Sequence, residues 1–466
     1  MAPSITILGA GISGLACAYW LRQTQPEASI TLLERSAKAG GKIASHKVGG
    51  FLVDAGPDSF VTHRPGMLEF CKELGLESRL SRSRGEMAAT YVWDHDRLVK
   101  LPPGLHMGIP SRPWTVLMSP LLSPWGKLRL AVEGLLPQAE ASEADESVGS
   151  FIRRRLGDEA LAKLVGPLSA GIFATDPESL SLQATFPHLA QYEKKYGSLT
   201  RALWSAPQPS SGAAFHTFVG GMGELTDRLV SLLGDNLHCQ VEVGQVTRDE
   251  QGDWLVQSQD GRSWTSQALV LAIPTPEIAR LLGAVDPALC ESLGEMRQSS
   301  AAAVHLGFHR TQISNPLEGF GFVSSYPANR PLVACTWSSQ KFHHRAPEDG
   351  VLLRGFLRNQ PDFDVDQVGT QELVATALGT LRPLLGIQGK PLMTRVQRYP
   401  QAFPEYRVGH LQRMAQLDQQ RQQHPGLYWI GAAFAAGGIP ECVAQGRRVA
   451  EKIAQEVPAP RSAQTA

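Results

Sequence analysis

The stretch SITILGAGISG, Ser4 to Gly14, restricts the fold of this chain more than any other. Ile5 to Ala10 reads as a buried strand, GLACAYWLRQ as a helix with small residues at its start, and SITLLE (29–34) as a second apolar strand. Together they form a βαβ unit. In its turn Gly9 permits the tight bend, Gly11 lets a pyrophosphate approach the backbone, and Gly14 lets helix and strand pack closely, with phosphate charge resting on the helix N-terminus. Ala10, Ile12 and Ser13 complete that turn. Glu34 follows Gly14 by twenty residues, where a carboxylate accepts hydrogen bonds from a ribose diol and repels a 2′-phosphate. The competing reading, a glycine-rich turn without a nucleotide, must treat strand, helix, spacing and acid as coincidence.

At 466 residues the chain exceeds one core and predicts about two to three domains. Lys and Arg total 44 against 44 Asp and Glu, so no basic excess points to nucleic acid. The 6 cysteines stand singly, without zinc spacing, and read as reduced cytosolic thiols with no metal site. The first strand begins too early to leave room for a cleavable signal, which predicts a cytoplasmic protein. The most apolar stretch, Trp114 to Pro137, is interrupted by Pro120, Pro124 and Lys127 and falls short of the uninterrupted ~20 residues of a spanning helix. It could still lie on a membrane surface as a peripheral contact.

Further along, ERSAKAGGKI places Arg35, the pair Gly40 and Gly41, and Lys42 beside the pyrophosphate pocket. GGFLVDAGPDSF reads as a strand closed by a Gly56-Pro57 turn. Residues 81–205 read as a helical lid. Its run Arg153-Arg154-Arg155 is expected on a solvated face, because successive helix residues point in different directions, and Lys194 and Lys195 are read the same way. The nucleotide-binding pattern of 1–80 resumes over 206–276, where Gly220, Gly221 and Gly223 mark a close backbone approach, and again over 396–466. Strand-rich 277–395 is expected to bind the substrate.

Seven motifs then add up: GAGISGL, AGGKI, AGPDSF, GPLSAGIFATDPESLSLQATFP, ACTW, PEYRVGH and GGIPECVAQG. Across almost the whole chain the sequence resembles the bacterial FAD-dependent porphyrinogen oxidases of haem biosynthesis, with GIPEC nearest to the coproporphyrinogen III oxidase branch. The resemblance implies an α/β protein: a discontinuous Rossmann-like FAD-binding domain of the amine oxidase type, a mixed α+β substrate domain and the helical lid. It implies FAD contacts at Gly9 to Gly14, Glu34, Lys42, Gly56, Pro57, Asp58, Ser59, Val246, Tyr399, Gly437, Gly438 and Ile439. Tyr399 departs from the pattern, since related sequences often carry tryptophan there. The second glycine turn would set a helix N-terminus under the flavin's pyrimidine carbonyl, where the dipole favours it. A plain strand-to-helix turn is the other reading.

The resemblance also implies the chemistry. A porphyrinogen gives hydride to the flavin, dioxygen is the final acceptor, hydrogen peroxide the by-product, and no catalytic side chain is named. A ferrochelatase partner follows from pathway order alone. Arg64, Gly171, Phe173, Phe320 and Phe322 are candidate substrate contacts; for the last two, core packing is an equal reading. Three functions stay open: oxidation of coproporphyrinogen or protoporphyrinogen, an amine oxidase or carotenoid desaturase on the same frame, and a flavin-binding chaperone without turnover.

Overall fold

The computed structural model describes residues 2–61, 66–85, 89–106, 108–110, 113–138, 144–205 and 215–457. Ser4–Leu8 is the central strand of a five-stranded sheet ordered Leu237–His238, Ser29–Leu33, Ser4–Leu8, Ala268–Leu271, Leu427–Trp429. Every neighbouring pair in it is parallel. Parallel strands need cover on both faces, which explains their nearly continuous apolar runs. Helices Ile12–Thr24 and Gly438–Glu456 leave the sheet after Ser4–Leu8 and Leu427–Trp429, so both begin at its carboxyl edge. The two helices pack on each other: a Cβ on Gly446 would lie 2.8 Å from the Cys17 nitrogen.

A seven-stranded sheet forms the second body, ordered Met393–Pro404, Gln298–His309, Gly350–Arg358, Leu332–Trp337, Gly321–Ser324, Thr90–Asp94, Arg97–Lys100. Helix Thr370–Leu385 covers it with Leu373, Ala377, Leu381 and Leu385, a stripe at four-residue spacing. Three stretches sit elsewhere than their composition suggests. Thr90–Asp94 and Arg97–Lys100, expected in the lid, are the last two strands at one end of this sheet, and Met393–Pro404, whose residues from 396 onward are expected to begin the last nucleotide-binding segment, pairs with Gln298–His309. Helices Thr275–Leu282 and Pro287–Gly294 bury Ile278, Leu282, Leu289 and Leu293 against Leu8 and Leu33, in the nucleotide-binding core. Long-range pairing decides these positions, and local composition carries no record of it.

The helices between residues 113 and 205, the stretch expected to form a lid, gather around Phe151, Ile152, Leu161, Leu164 and Leu189. Of its arginine run Arg153 is exposed as expected, and the departure comes at Arg155. Arg153 pairs with Asp158 and Glu178, and Arg154 with Glu146 and Glu193. Arg155 is fully buried on Glu133, whose carboxylate also accepts from Ser198, Thr200 and the Leu199 and Thr200 backbone. A guanidinium is tolerated there because each charge meets its partner and the spare acceptor sites are filled. Among the described residues no helix is long and apolar enough to cross a membrane, although Met118, Trp125 and Leu135 expose 86%, 79% and 80% of their surface.

Candidate cofactor and active site

The first glycine turn has the shape a dinucleotide requires. Gly9 adopts φ +99°, and a Cβ there would lie 2.6 Å from the Ala272 oxygen. A Cβ on Gly14 would overlap the Gly9 carbonyl oxygen, so helix and strand approach as close as backbone permits. Gly11, between them, would meet nothing within 4 Å. The turn is therefore closed by two glycines and open at the third, as an approaching phosphate needs. Glu34, almost buried, accepts the Ala10 N–H at 2.9 Å through Oε2 and the Ser36 N–H at 2.8 Å through Oε1. Lone pairs left on both oxygens suit a ribose diol.

Two further segments meet beside that opening. Gly40 donates to the Ala10 carbonyl at 2.8 Å, and a Cβ on Gly41 would sit 3.1 Å from the Gly11 Cα. Lys42 is exposed and donates to the Ala402 carbonyl. Gly438 opens the last helix at φ +70° with nothing within 4 Å of its would-be Cβ. Ser13 and Cys442, in the first turns of the two helices, share a hydrogen bond, so the two helix N-termini stand side by side. Burial raises the Cys442 thiol, against the opposing influence of Ser13 and Lys42, and keeps it protonated. Gly437 and Ile439 flank Gly438; Ile439 is buried in the nucleotide-binding core.

Other predicted positions fall differently. Arg35 is exposed, 3.9 Å from Glu277. Val246 is fully buried, and the backbone that bonds directly to Glu34 is that of His238 and Val241. Gly56 is glycine because a Cβ would overlap the Lys42 carbonyl, which fixes the Gly56-Pro57 turn against the lysine. Gly221 and Gly223 do mark a close approach, but to Ser45 of the neighbouring hairpin: the Gly223 N–H donates to Ser45 Oγ at 2.8 Å.

Behind the Ala55–Ser59 turn lies a charged cluster. Lys341 Nζ is 2.9 Å from Asp58 Oδ1 and 3.0 Å from Ser59 Oγ. Burial alone would raise the Asp58 carboxyl, but Lys341 and Arg354 outweigh it and hold it well below the usual range. Asp54 accepts Ser45 Oγ at 2.6 Å and the Met222 N–H at 2.8 Å, and faces Arg345 at 2.8 Å; burial still raises its carboxyl. Ala55 presents its carbonyl to both Tyr399 Oη and Arg354 Nη2. Burial pushes the Tyr399 phenol up to about 12, so it stays a donor.

Comparison with known proteins agrees with this geometry. The family described as flavin containing amine oxidoreductase matches residues 12–454. The chain belongs to that family. It is accordingly a flavin protein. Two curated relatives named coproporphyrinogen III oxidase are 32% identical: that of Staphylococcus aureus over 98% of this chain and 100% of its own, and that of Bacillus subtilis over 95% and 96%. Protoporphyrinogen oxidase 2 of Arabidopsis thaliana is 24% identical over 96% and 93%. A crystal structure from Exiguobacterium sp. 255-15, described as a candidate protoporphyrinogen oxidase, superposes with TM-score 0.88 at 30% identity over 98% and 99% of the two chains.

Among the positions expected to contact substrate, Gly171 is exposed with Ile172 on helix Gly166–Phe173, and Phe173 packs edge-on to Phe186 at 5.4 Å and Tyr406 at 5.9 Å. A Cβ on Gly171 would be 3.7 Å from Val323. Phe320 is half-buried, with its N–H on the Ala89 carbonyl. Phe322 is 2% exposed and edge-on to Trp93 at 5.9 Å, so it is a core residue and not a cavity wall. Arg64 lies outside the described residues. Arg358, a residue sequence reasoning did not single out, pairs in register with Ala301 opposite Tyr399 and donates to the Ala174 carbonyl at the end of helix Gly166–Phe173. Its signal was a second arginine in the apolar strand VLLRGFLR.

Proposed function

We propose that this protein binds FAD and oxidises coproporphyrinogen III to coproporphyrin III, with dioxygen as acceptor and hydrogen peroxide as by-product. The full-length similarity to coproporphyrinogen III oxidases carries the reading. FAD supplies a hydride acceptor; the chain's part is to bind, orient and exclude water. In this reading Gly11 and the helix N-terminus at Ile12 hold the pyrophosphate and Glu34 the adenosine ribose. The stretch from Val241 to Val246 borders the adenine. Lys42, the Gly56–Ser59 turn, Tyr399 and Gly437 to Ile439 surround the isoalloxazine. Gly171, Phe173 and Phe320 line the macrocycle, and Arg358, between Tyr399 and the lid, meets a propionate.

Protoporphyrinogen IX is the second reading, favoured by the Arabidopsis and Exiguobacterium likenesses. The test is purified protein loaded with FAD and given each porphyrinogen under air, following porphyrin fluorescence and peroxide together. Faster oxidation of coproporphyrinogen is expected. Faster oxidation of protoporphyrinogen would reverse the assignment, and failure on both would end it.

A further inference from the structure

The three strands at one end of the seven-stranded sheet, Met393–Pro404, Gln298–His309 and Gly350–Arg358, carry a polar row. His305 stands in register with Arg354 on one neighbouring strand and Arg395 on the other, so imidazole and guanidinia share one face. His305 is 1% exposed and Arg354 6%, and neither ring nitrogen of His305 nor Arg354 Nε has a partner. Burial first, then the two arginines, push the His305 imidazole well below its ordinary value, so it is neutral, with one donor and one acceptor nitrogen. Buried polar atoms of this kind normally find a partner or water.

Beside them is a cavity of about 10 Å³, whose lining includes Asp54, Asp58, His305, Arg345 and Arg354. That is the space of one water molecule. A larger ligand does not fit, and an anion would face Asp54 and Asp58, already paired with Arg345 and Lys341. Water alone can accept from Arg354 Nε while donating to a carboxylate and to the imidazole.

We propose that this cavity is a built site for one water, which joins Arg354 and His305 to the aspartates and makes Arg354 a positioning residue for the Ala55–Ser59 turn. Arg354 reaches the turn directly through the Ala55 carbonyl at 3.3 Å, and Lys341 grips Asp58 and Ser59 from the same side. The effect on flavin rests on the proposed placement of that turn beside the isoalloxazine.

Crystals of the FAD-loaded protein test the site, and flavin binding tests its consequence. Ordered water density within about 3.2 Å of Arg354 Nε, His305 and a carboxylate is expected. An empty cavity, or an anomalous peak there after a bromide soak, would overturn the proposal. Arg354→Met should weaken FAD binding by about tenfold and shift the flavin absorbance bands, with Arg354→Lys restoring most of both. A folded Arg354→Met protein with unchanged flavin affinity and spectrum would equally overturn it. If the wild-type chain took up no FAD, the functional reading would fall, while density in the apo crystal would still decide the water.

Discussion

Gly14 stands directly over Gly9, so that a methyl group on the first would overlap the carbonyl oxygen of the second. Gly14→Ala should therefore destabilise the apo-protein by about 1–3 kcal/mol, the cost of overpacking a rigid contact. Gly11→Ala, facing open space, should fold with an unchanged melting temperature and lose affinity for FAD. Thermal melts and FAD titrations of both variants measure this; the reverse order would refute the assignment of roles within the turn.

Arg155 and Glu133 form a fully buried pair. Arg155→Met leaves the carboxylate without its cation and should cost about 3–5 kcal/mol. Adding Glu133→Gln should recover part of the loss, because an amide can still accept from Ser198 and Thr200. Denaturant melts of single and double variants check it, with full additivity as the contrary outcome.

Burial, with Arg413 nearby, lowers His410 from 6.5 to about 4, against the opposing influence of Asp145. The unfolded chain takes up the proton first, so this residue's stabilising contribution is complete above about pH 6.5 and disappears as pH falls toward about 4. Asp58 acts in the same direction at lower pH: its folded carboxyl is depressed, and its contribution is lost below about pH 4. Melting temperature should thus fall on acidification from pH 6.5, less steeply in His410→Asn. Equal slopes in the two proteins would contradict the burial argument.

Arg358 lies in register with Ala301, across that residue from Tyr399. If it meets a propionate, Arg358→Gln should raise KM for coproporphyrinogen by about tenfold while changing kcat little. Steady-state kinetics separate the two constants, and an unchanged KM would remove Arg358 from the substrate site.

The two glycine turns were legible because their signals are local: GAGISG and GGIPEC each declare a bend between a strand and a helix start, and both are found there. The cluster behind them was not, since His305, Arg354 and Arg395 meet only through strand register. Its trace was one ionisable residue in each of two apolar strings, SAAAVHLGF and VLLRGFL, a combination that signals a buried charge or a site. Alternation at Phe320 and Phe322 showed a strand but not which side faces the core. Arg155 looked solvated because its partner, Glu133, arrives from a separate turn of chain.

The edge strand Leu427–Trp429 and the helix Gly438–Glu456 complete a sheet whose central strand is Ser4–Leu8. During synthesis the ribosome therefore exposes the central strand and its helix hundreds of residues before the elements that complete the sheet beside them. The seven-stranded sheet is also late, since its strand Met393–Pro404 is made shortly before the closing helix, so both sheets reach their full set of strands only as the last elements of the chain appear.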